Sequence, residues 1–227
     1  MKFRWGNSFL VVFFLLFVVS SAQIAQAIDR YVSLTGSHTP PFTTWTTAAT
    51  NIQNAIAISV PGDIIWVTNG VYTVGQAPTP SPGTMPCRIV ATNAITIRSV
   101  NGPGATIIQG NGPVGPSAVR CAYLANGAKL IGLTLQGGAT FNSGDTFMNQ
   151  RGGGVIVRPG AVVSNCVIKF CSAFNSGGGV SLYQGGSVLY SLIISNNVPN
   201  GGGGGAVCES GTVANCSFSY NNSYLDG

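Results

Sequence analysis

The 227-residue sequence predicts an all-β fold, a parallel β-helix, from three observations. A glycine triplet at 152–154 returns at 177–179 and again at 202–204, each time shifted by 25 residues. Short apolar runs with a period of two recur at the same shift, and none is long enough for an amphipathic helix. A unit of this kind cannot bury its apolar face alone, so successive copies are expected to stack on one another.

The register extends well beyond the glycines, which distinguishes a structural repeat from a low-complexity tract. Steps of 25 give the apolar columns Val157, Leu182, Val207, then Val163, Val188, Val213, and then Ile168, Ile193, Phe218. They also give the columns Asn165, Tyr190, Asn215 and Cys171, Asn196, Asn221. Turns rich in Gly, Asn, Ser and Pro separate the runs. We therefore predict that each copy forms one coil of about three short strands, stacked roughly 4.8 Å from the next coil.

The glycine triplets and the turn asparagines have structural roles in this prediction. The glycines allow sharp turns where a Cβ atom would clash, and the asparagines can form side-chain ladders along the coil axis. The alternative, a phosphate-binding loop at 152–154, is disfavoured because no helix follows and no lysine stands where such a loop needs one.

Residues 1–27 are expected to be a secretory signal peptide. Lys2 and Arg4 supply the positive end, 9–19 is an apolar run, and Ala-Gln-Ala at 25–27 is a cleavage site of the usual type. A membrane anchor is the alternative, although the run is shorter than the ~20 residues needed to span a bilayer. Cleavage after Ala27 would lower the net charge from +5 to +3 and leave a secreted or cell-surface protein.

The mature chain is expected to contain an N-terminal region at 28–61 and coils at 62–227. The first region would have a strand at 28–34 and a helix within 46–59, ended by Pro61-Gly62, that caps the open end of the solenoid. A loop at 139–151 should protrude from the stack, and such loops often carry function. Because no cap follows the last coil, we expect a fragment of a longer chain, with further coils, an anchor or catalytic residues beyond Gly227.

The six cysteines lie in the exported part, where disulfides are permitted. Cys166 and Cys216 share a column with Ser191 between them, so they should lie about 9 to 10 Å apart. That exceeds the ~7 Å limit for a disulfide. We expect these two cysteines to pack as small buried hydrophobic side chains instead. The scattered thiols and the one histidine, His38, do not predict a zinc site.

Several stretches resemble right-handed parallel β-helix proteins of the pectin-lyase-like superfamily. They are Gly-Asp-Ile-Ile-Trp-Val-Thr-Asn-Gly-Val-Tyr at 62–72, Ile-Thr-Ile-Arg-Ser-Val-Asn-Gly-Pro at 95–103 and Leu-Thr-Leu-Gln-Gly-Gly at 133–138. Gly-Gly-Ala-Val at 204–207 and Phe-Ser-Tyr-Asn at 218–221 resemble the repeats of bacterial polymorphic outer-membrane proteins. The resemblance implies the right-handed parallel β-helix fold and a bacterial surface or secreted protein.

Enzymes of this superfamily use clustered aspartates, with calcium or as acids, on acidic polysaccharides. Here the acidic residues after position 27 are dispersed: Asp29, Asp63, Asp145, Glu209 and Asp226. We therefore predict neither a catalytic residue nor a metal or cofactor site. The low charged fraction of 7% also excludes a basic patch for nucleic acid.

Two functions are consistent with this sequence. The first is an exported, non-catalytic repeat module with a structural or adhesive role. The alternative is a polysaccharide lyase or glycoside hydrolase acting on acidic polysaccharide. If a polysaccharide or cell-surface glycan binds, the predicted contacts are Asp145, Arg151, Arg158 and Tyr183. In that case Arg158 would meet a uronate carboxylate and Tyr183 would stack on a sugar ring.

Overall fold

The computed structural model describes Met1 and residues 26–225, so most of the predicted signal peptide lies outside the described residues. One helix, α1, spans Ile52–Ala57. The early strands are β1 Asp29–Val32, β2 Ile64–Val67, β3 Gly70–Tyr72, β4 Ala77–Pro78, β5 Pro86–Ala91, β6 Thr96–Ser99, β7 Thr106–Gln109, β8 Arg120–Leu124, β9 Lys129–Ile131 and β10 Thr134–Gln136. The later strands are β11 Val155–Val157, β12 Val162–Ser164, β13 Val167–Lys169, β14 Val180–Leu182, β15 Ser187–Leu189, β16 Leu192–Ile194, β17 Asn197–Val198, β18 Ala206–Cys208, β19 Thr212–Ala214, β20 Ser217–Ser219 and β21 Asn222–Ser223.

The strands form three long sheets that run along one axis. The first sheet has the order β1-β2-β6-β9-β12-β15-β19, the second β3-β7-β10-β13-β16-β20, and the third β4-β5-β8-β11-β14-β18. Strands β17 and β21 form a small fourth pair. Every named pairing is parallel except the β4–β5 hairpin. Since successive coils give one strand to each long sheet, the fold is a parallel β-helix, as predicted.

The interior is a set of stacked apolar columns. In the first sheet, register places Ile65, Ile97, Leu130, Val163, Val188 and Val213 one above the other. The second sheet stacks Ile168 on Ile193 and Phe218, also as predicted. Phe218 is 48% exposed because it lies in the last described coil and lacks a neighbour on one side.

The predicted column Val157, Leu182, Val207 is wrong at its third position, where Cys208 takes the place of Val207. Leu182 pairs with Cys208 in the third sheet, whereas Val207 pairs with the outward-facing Ser181. The third glycine run is longer, extending through 201–205, and Gly203 has the left-handed φ of 67° that Gly152 and Gly177 have at 64°. A shorter turn after β18 restores the shift of 25 at β19, where Val188 pairs with Val213.

Close contact between coils explains the glycine triplets. A Cβ atom on Gly153 would lie 2.7 Å from the Gly178 carbonyl oxygen of the next coil, and one on Gly178 would lie 2.4 Å from that of Gly204. The adjacent turn carries an asparagine ladder, also as predicted. The buried Asn196 amide donates to the Ile168 carbonyl at 2.9 Å and to Asn221 Oδ1 at 3.0 Å, and its Oδ1 accepts the Cys171 N–H at 3.0 Å.

The helix occupies only Ile52–Ala57 of the predicted range 46–59. Ala49 bonds through its N–H to the Tyr31 carbonyl and through its carbonyl to the Ser33 N–H, so the chain before Asn51 extends β1 instead of coiling. The Asn51 side chain then accepts the Asn54 N–H and begins α1. The helix packs against β1, β2 and β5. Its role as a cap stays a prediction.

All six cysteines are free thiols in the structure, and four of them are buried: Cys87, Cys121, Cys166 and Cys171. Burial raises the pKa of Cys166 to about 11. Among the described residues, no helix is long and apolar enough to cross a membrane.

Candidate functional site

The loop at 139–151 lies back on the outer face of the third sheet, where the sequence predicts a protrusion. Met148 is 5% exposed and packs with Tyr123 and Ile156, which point outward from β8 and β11. Asn149 fastens the loop to the neighbouring segment at 79–86: its Oδ1 accepts the Thr84 N–H at 3.0 Å and its Nδ2 donates to Thr84 Oγ1 at 3.1 Å. The apolar packing of Met148 and the hydrogen bonds of Asn149 therefore both hold the loop in place.

Arg120, at the start of β8, anchors this loop through hydrogen bonds from its guanidinium group. Its side chain is fully buried, and no acidic residue of the described chain forms an ion pair with it. The guanidinium donates at 2.8 Å to each of the carbonyls of Met148, Arg151 and Gly152. It also donates to Thr79 Oγ1 at 3.2 Å and Cys87 Sγ at 3.5 Å. A charge that is buried without a counter-ion must have its donors satisfied, so Arg120 fixes the path of the loop backbone.

Asp145 shapes the turn that leads to Phe147. Its Oδ1 accepts the N–H groups of Phe147 at 3.0 Å and Met148 at 2.7 Å. The backbone carbonyl of Asp145 accepts the Asn149 N–H at 2.9 Å. Asp145 therefore holds the loop conformation, and it is also one of the residues that line the adjacent cleft.

Two arginines and two aromatic rings form what we call the arginine–aromatic stack: Arg151, Phe147, Tyr183 and Arg158. The rings of Phe147 and Tyr183 stack with centroids 4.6 Å apart and planes at 20°. The Arg151 guanidinium lies 4.3 Å from the Phe147 centroid, and that of Arg158 lies 4.6 Å from the Tyr183 centroid. Each cation–aromatic contact is of the attractive kind, worth about 0.5–1 kcal/mol at exposed sites.

The two arginines differ in how their charge is balanced. Arg151 forms an ion pair with Glu209, which follows β18. Arg158 bonds only to neutral acceptors in the described chain, the Tyr183 carbonyl at 3.3 Å and Gln184 Oε1 at 2.9 Å. Burial raises the pKa of Tyr123, and the nearby Arg158 partly offsets the rise. Arg158 is thus the cation of the site that lacks an acidic partner among the described residues.

A cleft of about 240 Å³ opens beside the stack. Its lining includes Asp145, Phe147, Arg158, Tyr183, Tyr123 and Gln184. A second, wider cleft of about 530 Å³ has Arg151, Asn175, Ser176 and Cys208 among its lining residues. The buried atoms Arg151 Nε and Ser176 Oγ have no hydrogen-bond partner in the described structure. The stack therefore borders two clefts, one lined by Arg158 and Tyr183 and the other by Arg151.

The structure brings the four predicted site residues together, Asp145, Arg151, Arg158 and Tyr183. Sequence reasoning missed Phe147, Glu209 and Arg120. Glu209 falls in the region where the repeat gains one residue, so the shift of 25 could not place it. Phe147 lies in the loop that has no counterpart in the neighbouring coils. Residues 26–225 contain no group of three or more His, Cys, Asp or Glu side chains placed to hold a metal ion.

No protein-family model matches this chain, and no curated protein matches it significantly. Solved structures that are similar include a mutant pectin methylesterase in complex with a hexasaccharide, at 12% identity and a TM-score of 0.48. Another is a pectin methylesterase in complex with a different hexasaccharide, at 13% identity and a TM-score of 0.41. Each match covers 88% of this chain and 68% of the other. Similarity at this level carries no conclusion about activity.

Proposed function

We propose that this chain is an exported, non-catalytic β-helix module that binds an anionic saccharide chain at the arginine–aromatic stack. The observation that carries the proposal is Arg158, a cation held against the Tyr183 ring without an acidic partner in the described structure. In this proposal the protein is secreted or held at the cell surface, and the coils present the stack on a rigid support.

The chemistry of a guanidinium suits a uronate. Its planar fork of donors matches a carboxylate and can bind it through two parallel hydrogen bonds. The neutral acceptors that Arg158 now uses, the Tyr183 carbonyl and Gln184 Oε1, lie at a partly exposed position where solvent can replace them. A ligand carboxylate would gain a charged partner without breaking an ion pair.

The aromatic rings have a different role from the one the sequence predicts for Tyr183. Its ring is stacked on Phe147 and contacted by Arg158. In our proposal Tyr183 therefore orients the guanidinium, and the sugar meets the ring edges. An arginine held in place before binding loses less side-chain entropy when the ligand arrives.

The alternative of a lyase or hydrolase draws support from Asp145, the one carboxylate in the lining of the smaller cleft. A glycoside hydrolase of the usual kind needs a second carboxylate about 5 to 9.5 Å away. In addition, Asp145 Oδ1 already accepts two backbone N–H groups. Release of reducing ends or unsaturated products from polyuronates, with or without calcium, would favour the enzyme and overturn the non-catalytic proposal.

Calorimetric titration tests the binding proposal. Oligogalacturonates are titrated into the wild-type protein, and neutral galactose oligomers of equal length serve as the ligand control. We expect binding of the uronate alone, weakened at least tenfold by Arg158→Ala. Arg98→Ala is the matched variant, since Arg98 lies 4.6 Å from the Trp66 ring centroid on the first sheet, outside the proposed site. Equal loss in both variants, or no uronate binding by the wild type, would contradict the proposal.

A further inference from the structure

The amino end of the first strand is tied to a buried carboxylate. The backbone N–H of Ile28 donates to Asp63 Oδ1 at 2.9 Å. Asp63 has no exposed surface, while Ile28 is 36% exposed. The carboxylate thus sits inside the protein, and its partner nitrogen lies at the edge.

Asp63 is a strong acceptor at this position. Its Oδ2 accepts Arg30 Nε at 2.7 Å and the Val60 N–H at 3.1 Å. Burial by itself raises the pKa of Asp63, but the hydrogen bonds from Ile28, Val60 and Arg30 outweigh it and lower the pKa below the usual 3.8. The group is therefore an anion at neutral pH.

The pair has a defined place in the fold. Arg30 stands in register with Ile65, the first apolar residue of the long column in the first sheet, and it is 6% exposed. Its Nη1 donates to the Pro41 carbonyl at 2.9 Å. Arg30 and Asp63 thus lie at the N-terminal end of the apolar core, where a lost contact would open the first coil.

The bond that links Ala27 to Ile28 is the one at which the sequence predicts cleavage. Residues 26–28 are exposed, and the Ala27 methyl group is close enough to Gly62 that a Cβ atom there would lie 2.9 Å from it. The nitrogen that cleavage would release is therefore the same nitrogen that bonds Asp63.

We propose that a signal peptidase hydrolyses the Ala27–Ile28 bond and that the new α-ammonium of Ile28 stays on Asp63 as an ion pair. Water adds across the amide: Ala27 leaves with the carboxylate, and the Ile28 nitrogen takes up protons to become an ammonium. A hydrogen bond from a neutral amide to the carboxylate becomes an ion pair between an ammonium and the carboxylate at the same atoms. Processing would in this way stabilise the first coil. The inference uses export but is independent of saccharide binding.

The sign of the pH dependence follows from the charges around Ile28. The elements packed against it, β1, the turn at 58–63 and β2, carry the charged groups Asp29, Arg30 and Asp63. Asp63 favours the ammonium and is in direct contact, whereas Arg30 opposes it. With its pKa raised in the folded state, the ammonium stabilises the protein fully below its unfolded pKa of about 8. The gain disappears as the pH rises through the folded pKa.

The test uses the full chain expressed in an exporting host. Mass spectrometry of the exported protein should show Ile28 as the first residue. A variant with two glutamines inserted between Ala27 and Ile28 is the control, because cleavage after Ala27 then leaves an ordinary amide at Ile28 while Asp63 and Arg30 are unchanged, and the insertion creates no second A-x-A site before Ile28.

We expect the wild type to have an unfolding equilibrium constant about tenfold smaller than that of the insertion variant at pH 6, since the ammonium adds a charge–charge attraction to the hydrogen bond that the variant's amide also makes with Asp63. The difference should vanish at a pH well above 9. Asp63→Asn should abolish it as well, and if that variant fails to fold, the insertion variant alone decides. A different first residue, or equal stability of the two proteins at pH 6, would overturn the inference. Unchanged uronate binding would separate its failure from that of the proposed function.

Discussion

Phe147 and Tyr183 stack at 4.6 Å although one belongs to a long loop and the other follows a strand of the next regular coil. The contact joins an irregular segment to the repeat and places an arginine at each end of the pair. Through this contact, the loop and the regular coils together form the arginine–aromatic stack.

The buried Arg120 should control the order of the site loop. Arg120→Met keeps an unbranched apolar stem but leaves the carbonyls of Met148, Arg151 and Gly152 without their donor. We expect faster amide hydrogen exchange across 144–151 and at least tenfold weaker uronate binding. Arg98→Met is the control and should change neither. Unaltered exchange in Arg120→Met would show that the loop is held by other contacts.

The apolar column of the first sheet should be intolerant of charge. Val188 is 1% exposed between Val163 and Val213. Val188→Asp buries a carboxylate without a partner, so the free energy of unfolding should fall by at least about 3 kcal/mol in chemical denaturation. Ser187→Asp, at the neighbouring outward position, should cost less than about 0.5 kcal/mol. Equal effects would mean that the inward and outward faces are assigned wrongly.

The buried asparagine ladder should contribute more to stability than the exposed hydrogen bond between Asn222 and Asn197. Asn196→Ala leaves the buried Cys171 N–H unsatisfied and removes one donor from the Ile168 carbonyl, which should lower the free energy of unfolding by about 2 kcal/mol. Asn222→Ala removes only an exposed bond to Asn197 Oδ1 and should change stability little. If both variants unfold at the wild-type midpoint in urea, the ladder contributes no stability.

Alkylation of the thiols reports on packing directly. Cys208 is exposed, whereas Cys121 and Cys166 are buried with raised pKa values. For Cys166, a pKa of about 11 leaves roughly one thiolate in a thousand at pH 8. Treatment with iodoacetamide at pH 8 should therefore label Cys208 first, and peptide mass spectrometry reads the order. Early labelling of Cys166 in the folded protein would contradict the stacked arrangement.

Much of the fold could be predicted because every coil must bury apolar side chains at equivalent positions. Val163, Val188 and Val213 must share a column, since a shift of 25 places each on the inward face of equivalent strands. The Val207 column failed because one glycine added within 201–205 moves a strand by one residue and exchanges its two faces. The compensating deletion in the turn after β18 is invisible to a method that counts a constant shift.

The helix and the site show other limits of sequence reasoning. Ala49 fits the apolar period of a helix, yet its backbone bonds β1, because pairing with an exposed strand competes with coiling. The contact of Phe147 with Tyr183 depends on how the loop folds back, which Arg120 and Asn149 determine through bonds to residues distant in sequence. Alternation did place Arg158 and Tyr183 on one face, since both follow inward residues of adjacent strands.

The most direct test of the binding site is nuclear magnetic resonance titration of the arginine side chains with trigalacturonate. If the saccharide binds at the arginine–aromatic stack, the Nε–Hε resonance of Arg158 shifts saturably. That of Arg151 shifts less because Glu209 neutralises it, and that of Arg98 stays in place. A shift of Arg98 equal to that of Arg158, or no shift of Arg158 at saturating ligand, would contradict the assignment of the arginine–aromatic stack as the saccharide site.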